Sequence, residues 1–142
     1  MESNELYNDK YINIDGNYIH ETAIIGKNVE IGTGNVIMPY AVIGETGFIR
    51  DADNQKGKVV IGDNNKIGCH ASIMTGEKGE TIIGNDNLIM NYANIGHDVK
   101  IKSNCEIGPG VIIGGHSTVD EEVKIKIGAL IRNRININDL QH

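Results

Sequence analysis

Two histidines in this chain of 142 residues could move protons: His97 in the run Ile95-Gly96-His97-Asp98, and His116 directly after Gly114-Gly115. An imidazole titrates near ~6.5, so a neutral histidine can take a proton from a hydroxyl or an ammonium at ordinary pH. A backbone N–H of the Gly114-Gly115 pair could stabilise an oxyanion that develops beside such a base. Arg132 and Arg134 follow in the sequence, and guanidinium groups pair well with phosphates. These groups make a site only if the fold brings residues nearly twenty and nearly forty positions apart to one place.

The element that can do so is written along the chain. Isoleucine occupies positions 19, 25, 31, 37, 43, 61, 67, 73, 83, 89, 95, 101, 107, 113, 125, 131 and 137, and Val119 fills the one remaining slot in its step-of-six run. A period of six fits neither an amphipathic helix nor a plain alternating strand. It is the period of a solenoid with flat faces one hexapeptide long. Three hexads close a coil of 18 residues, so the hexads beginning at Ile95, Ile113 and Ile131 stack in one column. His97, His116, Arg132 and Arg134 are thereby expected at one corner. Glycine recurs in second place (Gly26, Gly62, Gly96, Gly114) and small residues in fifth place (Ala41, Ala71, Ala93, Cys105), which suits tight corners and a narrow interior. The spacing predicts an all-β parallel β-helix over 19–142, preceded by a capping segment over 1–18 with a strand in YINIDGNY. The rhythm breaks near 46–58 and near 76–82, so loops are expected there. The second leaves the column one coil below His97, around Glu77–Glu80. Loops that interrupt a regular scaffold are where function concentrates. The last coil needs a cover for its open edge, either a partner or the polar NINDLQH tail.

A lone histidine at a solenoid corner is ordinarily a polar turn residue, and His20 and His70, on other columns, are read as surface residues of that kind. Two histidines stacked with a Gly-Gly pair and two arginines argue for a site. Asp98 could orient the His97 ring, although aspartate also favours turns for backbone reasons. Cys105 points inward in the small fifth position and is read as packing. Net charge is −6, with the 13 lysines and arginines spread thinly, which excludes nucleic acid as an expected partner. Cys69 and Cys105 form no CxxC and suit a reducing compartment. Met1–Lys10 is polar and acidic, unlike a signal peptide, and no apolar run has membrane-spanning length. A cytoplasmic protein is expected.

IHETAIIGKNVEIGTGNVIMPYAVIG, VVIGDNNKIG, TIIGNDNLIMNYANIGHD and IIGGHSTVDEEVKI occur in that order. Over residues 19–137 they resemble the hexapeptide-repeat acyltransferases, most closely those that acylate UDP-N-acetylglucosamine in lipid A biosynthesis. The resemblance implies a left-handed β-helix, a homotrimer with sites between subunits, and direct acyl transfer without a metal or a tightly bound cofactor. It implies that His97 is the general base, that Gly115 supplies the oxyanion donor and that His116 contacts substrate. Asn94 stands where the family has a second histidine, and Arg132 where it has a further one; both are carried as substrate-binding positions with Arg134. Asp51 or Asp53 corresponds to a substrate-binding aspartate. The acceptor is expected to be the hydroxyl or amine of a nucleotide-linked sugar. The donor is expected to be acyl-CoA or acyl-acyl carrier protein. The resemblance stops short of the family's upper coils and C-terminal helical domain, which makes a short acyl group such as acetyl the expected cargo. Two other readings stay open: a non-catalytic scaffold or assembly module, and a γ-type carbonic anhydrase of the same fold. The second needs three zinc-binding histidines, including a close pair that this chain lacks.

Overall fold

The structure, a computed structural model, describes residues 10–46 and 57–138. It contains nineteen short strands and no helix among those residues. The strands form three sheets. Face A holds β1 (Tyr11–Ile14), β2 (Asn17–His20), β5 (Val36–Ile37), β8 (Lys66–Ile67), β11 (Leu88–Ile89), β14 (Glu106–Ile107) and β17 (Lys124–Ile125). Face B holds β3 (Ile24–Ile25), β6 (Val42–Glu45), β9 (Ser72–Met74), β12 (Asn94–Ile95), β15 (Ile112–Ile113) and β18 (Leu130–Ile131). Face C holds β4 (Val29–Ile31), β7 (Lys58–Ile61), β10 (Glu80–Ile83), β13 (Lys100–Ile101), β16 (Thr118–Val119) and β19 (Asn136–Ile137). All pairings between coils are parallel, and isoleucine stacks on isoleucine, as in Ile95 on Ile113 and Ile113 on Ile131.

Each hexad puts its first residue inward. Ile37, Ile43, Ile67, Ile73, Ile83, Ile89, Ile95, Ile101, Ile107 and Ile113 are all buried, joined by Ala41, Ala71, Ala93, Val99, Cys105 and Val111 from the fifth position. Ile25 and Ile31, near the bottom, are partly buried against this core. Removing a fully buried isoleucine side chain from water contributes on the order of 1.5–3 kcal/mol, so the column of isoleucines is the principal source of stability. Corners turn through the left-handed region in fourth position, and eleven described non-glycine residues have positive φ, among them Asp98, His116 and Arg134.

The bottom differs from the rest. β1 runs antiparallel to β2 through a two-residue Asp15-Gly16 turn with φ of 50° and 83°, the backbone that a tight hairpin requires. This hairpin corrects the sequence reading of His20. The ring is buried, packed edge-on to Tyr11 at 4.9 Å, with Nδ1 2.8 Å from the Thr22 hydroxyl. His70 is exposed as expected, but its ring stacks between Tyr40 and Tyr92 at 5.1 and 4.9 Å. The loop expected near 76–82 runs from Thr75 to Gly79, and β10 begins at Glu80. Most of the loop expected near 46–58 lies outside the described residues.

Candidate functional site

The corner between faces B and C holds the candidate residues His97, Gly115 and His116. β12 ends at Ile95, and the chain turns through Gly96, His97 and Asp98 before Val99 is buried at the start of the next face. One coil up, Gly114, Gly115 and His116 make the same turn after β15. The His116 N–H donates to the His97 carbonyl at 3.0 Å, and the Arg134 N–H to the Gly115 carbonyl at 3.0 Å. The fourth positions Asp98, His116 and Arg134 therefore form one rung series, with φ of 61°, 63° and 62°. The positive φ of His116 is shared by equivalent corners throughout the prism, so it is the rule of this backbone rather than a mark of function.

Asp98 is the organising group. Its Oδ2 lies 2.9 Å from His97 Nδ1, accepts the Glu77 backbone N–H at 2.8 Å and stands 3.8 Å from His116 Nε2. Its own N–H donates to the Thr81 hydroxyl at 2.8 Å. Burial pushes the Asp98 carboxyl upward and is the largest single influence. The Glu77 N–H, the His97 ring and the nearby His116 act the other way, and together they hold it below its ordinary value. Asp98 is thus ionised at neutral pH. A carboxylate facing Nδ1 favours a proton on that nitrogen, which leaves Nε2 with a lone pair to accept another. Nε2 of His97 has no hydrogen-bond partner among the described residues. The His97 and His116 rings meet edge to face, with centroids 5.0 Å apart.

Gly115 is fixed by this ring. A Cβ built there would lie 2.6 Å from His97 Nε2 and 2.9 Å from Cε1, while the neighbouring Gly114 would meet the backbone N of Asn133 at 2.6 Å. The first glycine makes room for an imidazole and the second for the coil above. Gly115 is buried beneath the ring, and its N–H has no acceptor among the described residues.

The other candidate residues disperse. Asn94 sits on the flat of face B, exposed, where its Oδ1 accepts from the Ser72 hydroxyl at 3.2 Å. Arg132 and Arg134 are exposed on the coil above His116. Asp51 and Asp53 lie outside the described residues. Cys105 is buried, its thiol donating to the Asp120 carbonyl at 3.0 Å. Burial is the main influence raising its pKa, so it is no thiolate nucleophile. The sequence reading raised Asp98 without deciding its role, and did not foresee that Glu77 would supply a backbone donor to it. The aspartate adjacent to a corner histidine was the available signal. The Glu77 contact depends on the conformation of the inserted loop and had no signal beyond the loop's position.

No helix of the described residues is long and apolar enough to cross a membrane, which does not bear on β-barrel spans. Residues 80–115 match the family described as bacterial transferase hexapeptide (six repeats). Among curated proteins, the acyl-(acyl-carrier-protein)–UDP-N-acetylglucosamine O-acyltransferase of Nautilia profundicola is 34% identical over 98 residues, covering 67% of this chain and 38% of that protein. The UDP-3-O-acylglucosamine N-acyltransferase of Caulobacter vibrioides is 33% identical over 118 residues, covering 78% and 32% respectively. The UDP-N-acetylglucosamine acyltransferase structure of Francisella novicida superposes with a TM-score of 0.69 at 25% identity, over 83% of this chain and 57% of that one. That of Bacteroides fragilis gives 0.64 at 29% identity, over 87% and 54%. The chain spans about a third of the length of the curated relatives it matches. With its three parallel faces and stacked isoleucines, the chain is a left-handed β-helix of the hexapeptide-repeat class, similar to the acyltransferases of UDP-linked sugars.

Proposed function

We propose that this protein transfers an acyl group from a thioester to a hydroxyl or amine of a nucleotide-linked sugar, with His97 as general base. The observation that carries the reading is the His97 ring, held at Nδ1 by Asp98 and lying on Gly115 with Nε2 turned away from the carboxylate. In this scheme Nε2 takes the acceptor's proton as its oxygen or nitrogen attacks the thioester carbonyl. The carbonyl electrons move onto oxygen, where the Gly115 N–H stabilises the charge. Collapse of the tetrahedral intermediate expels the thiolate, which receives the proton from His97. Asp98 is a positioning residue that orients the ring and stabilises its protonated form. No covalent acyl-enzyme is needed.

His116, one rung above the base, contacts the acceptor. Arg132, Arg134 and Asn94 bind donor or acceptor around the corner, with Asp51 from the first loop. The donor is acyl-CoA or acyl-acyl carrier protein, with a short acyl chain such as acetyl, and no cofactor is held between turnovers. The site is completed in a homotrimer. Exposed aliphatics on face B beside the corner, Ile112 and Leu130 at 47% and 69% exposure, support such self-association, because side chains of this size gain from burial. The protein works in the cytoplasm, where thioester donors and nucleotide sugars meet.

The test is a screen of UDP- and dTDP-linked amino sugars against acetyl-CoA, longer acyl-CoA and acyl-carrier-protein donors, run with wild type and His97→Ala. Transfer that depends on His97 is the expected result. Transfer that survives the substitution with the same donor and acceptor would remove His97 as the base, and no transfer by wild type with any pair would leave the scaffold reading.

A further inference from the structure

Four side chains at this corner are arranged for something other than proton transfer. Glu77, His97, Asp98 and His116 each offer one donor atom, and these atoms lie within 4.8 Å of one another. Two are imidazole nitrogens and two are carboxylate oxygens. We infer that they form a binding site for a divalent transition-metal ion of the Zn²⁺ class.

The donor chemistry argues for this ion type. Imidazole and carboxylate together suit Zn²⁺ and Co²⁺, whereas Ca²⁺ and Mg²⁺ prefer an all-oxygen shell. Four donors satisfy a tetrahedral ion with bonds of about 2.0–2.2 Å. That geometry puts ligand atoms roughly 3.3–3.5 Å apart, so the cluster must contract from its present outer limit. The groups able to move are the ones that must. Glu77 sits on the inserted Thr75–Gly79 loop, and the His116 side chain is 35% exposed. Asp98 is the fixed point, only 9% exposed and anchored through the Glu77 N–H and its own N–H to Thr81. Two carboxylates balance the charge of one divalent ion, so the loaded site is neutral at a half-buried corner.

The site comes from three coils at once: the loop below, the His97 turn and the His116 turn. Only the inserted loop brings Glu77 to it. A regular hexad in place of that loop would leave two imidazoles and one carboxylate. An ion held with Asp98 takes the Nδ1 lone pair that faces that carboxylate and leaves the ring proton on Nε2, so a loaded site silences the base. That consequence rests on the function proposed above, whereas ion binding does not.

The test titrates the purified full chain with Co²⁺, followed by its visible absorption, and with Zn²⁺, followed by calorimetry. Wild type, Glu77→Gln and His116→Gln are compared. One ion per chain is expected, with a four-coordinate Co²⁺ spectrum, and with affinity at least about tenfold weaker in each variant. Absence of saturable binding to wild type would overturn the inference. So would equal affinity in wild type and both variants, which would place the ion elsewhere. Added Zn²⁺ is expected to slow acyl transfer reversibly, with recovery on chelation. Binding at this site with undiminished transfer would leave the ion site standing and count against His97 as the base.

Discussion

Two corners of the same prism differ in how most of their polar residues are used, although Ser117, buried between faces B and C, donates to the Arg132 carbonyl at 2.8 Å much as the asparagines of the other corner do. Between faces C and A, asparagines point inward and are consumed by the backbone. Asn65 Nδ2 donates to the Gly84 carbonyl at 2.8 Å, its N–H donates to Asn35 Oδ1 at 2.8 Å, and its Oδ1 accepts the Asn87 N–H at 2.9 Å. Asn17, Asn35 and Asn87 repeat the pattern, and Cys105 ends it with a thiol in the same role. The groups of this buried ladder are used up in holding coil to coil. Between faces B and C the third and fourth positions carry His97, Asp98 and His116, whose contacts are largely with one another. There the ring nitrogen Nε2 of His97 is left without a hydrogen-bond partner among the described residues. The backbone turns alike at both corners, so side-chain identity alone separates the structural corner from the candidate site. A polar residue aimed inward stabilises the coil stack, and one aimed along the corner is available to a ligand.

His97→Ala tests the division most severely. Turnover should fall by roughly 10²–10⁴-fold while the thermal midpoint stays near wild type, because a corner ring contributes little to the isoleucine core. A large drop in the midpoint would show that the two corners are not separate in kind. The glycine pair gives a finer contrast. Gly115→Ala should press on the imidazole and cost on the order of 10²-fold in turnover through misplacement of the base, with an unchanged fold. Gly114→Ala should unsettle the coil above, since its Cβ meets backbone at 2.6 Å, and should lower the melting temperature instead.

On the structural corner, Asn65→Ala should destabilise by about 1–3 kcal/mol in denaturant titration. It strands the buried Gly84 carbonyl and Asn87 N–H, yet should leave the pH profile of any transfer unaltered. The smallest effect concerns acid. The Asp98 carboxyl is held below its ordinary value in the folded state, so its contribution is present above the unfolded pKa of about 3.9 and is lost as pH falls through the lower folded value. The stability gap between wild type and Asp98→Asn, measured with urea at pH 7 and pH 3, should therefore narrow at the lower pH. A gap that widened in acid would reverse the sign of that coupling.

Much of this was legible in the chain. The hexad count placed every core isoleucine and carried His97 and His116 to one corner, because a period fixes register without any knowledge of contacts. It did not reveal the direction of a side chain within a turn. Asp98 satisfies the backbone, with φ of 61°, and also the imidazole; sequence alone could not separate the two roles. Asn35 and Asn65 occupy the same fifth place as Ala41 and Cys105, and their ladder emerged only with the coil above in place. His20 was misread because its cover is a hairpin strand outside the repeat. Arg132 and Arg134 share the column by count, but they project from an exposed coil, and neither their aim nor their ligand follows from a period.

The ring distances set a limit on what such a corner can become. Tyr40 to His70, His70 to Tyr92 and His97 to His116 measure 5.1, 4.9 and 5.0 Å, although the first two pairs are stacked and the third is edge to face. The spacing belongs to the strand repeat of about 4.8 Å and not to the residues. Groups on adjacent rungs can therefore be exchanged one for another, but their separation along the axis cannot be tuned by mutation. A ligand bridging equivalent positions of such a corner must match steps of that scale, and intermediate distances come from side chains that lean toward each other, as Asp98 and His116 do at 3.8 Å, or from a loop such as Thr75–Gly79.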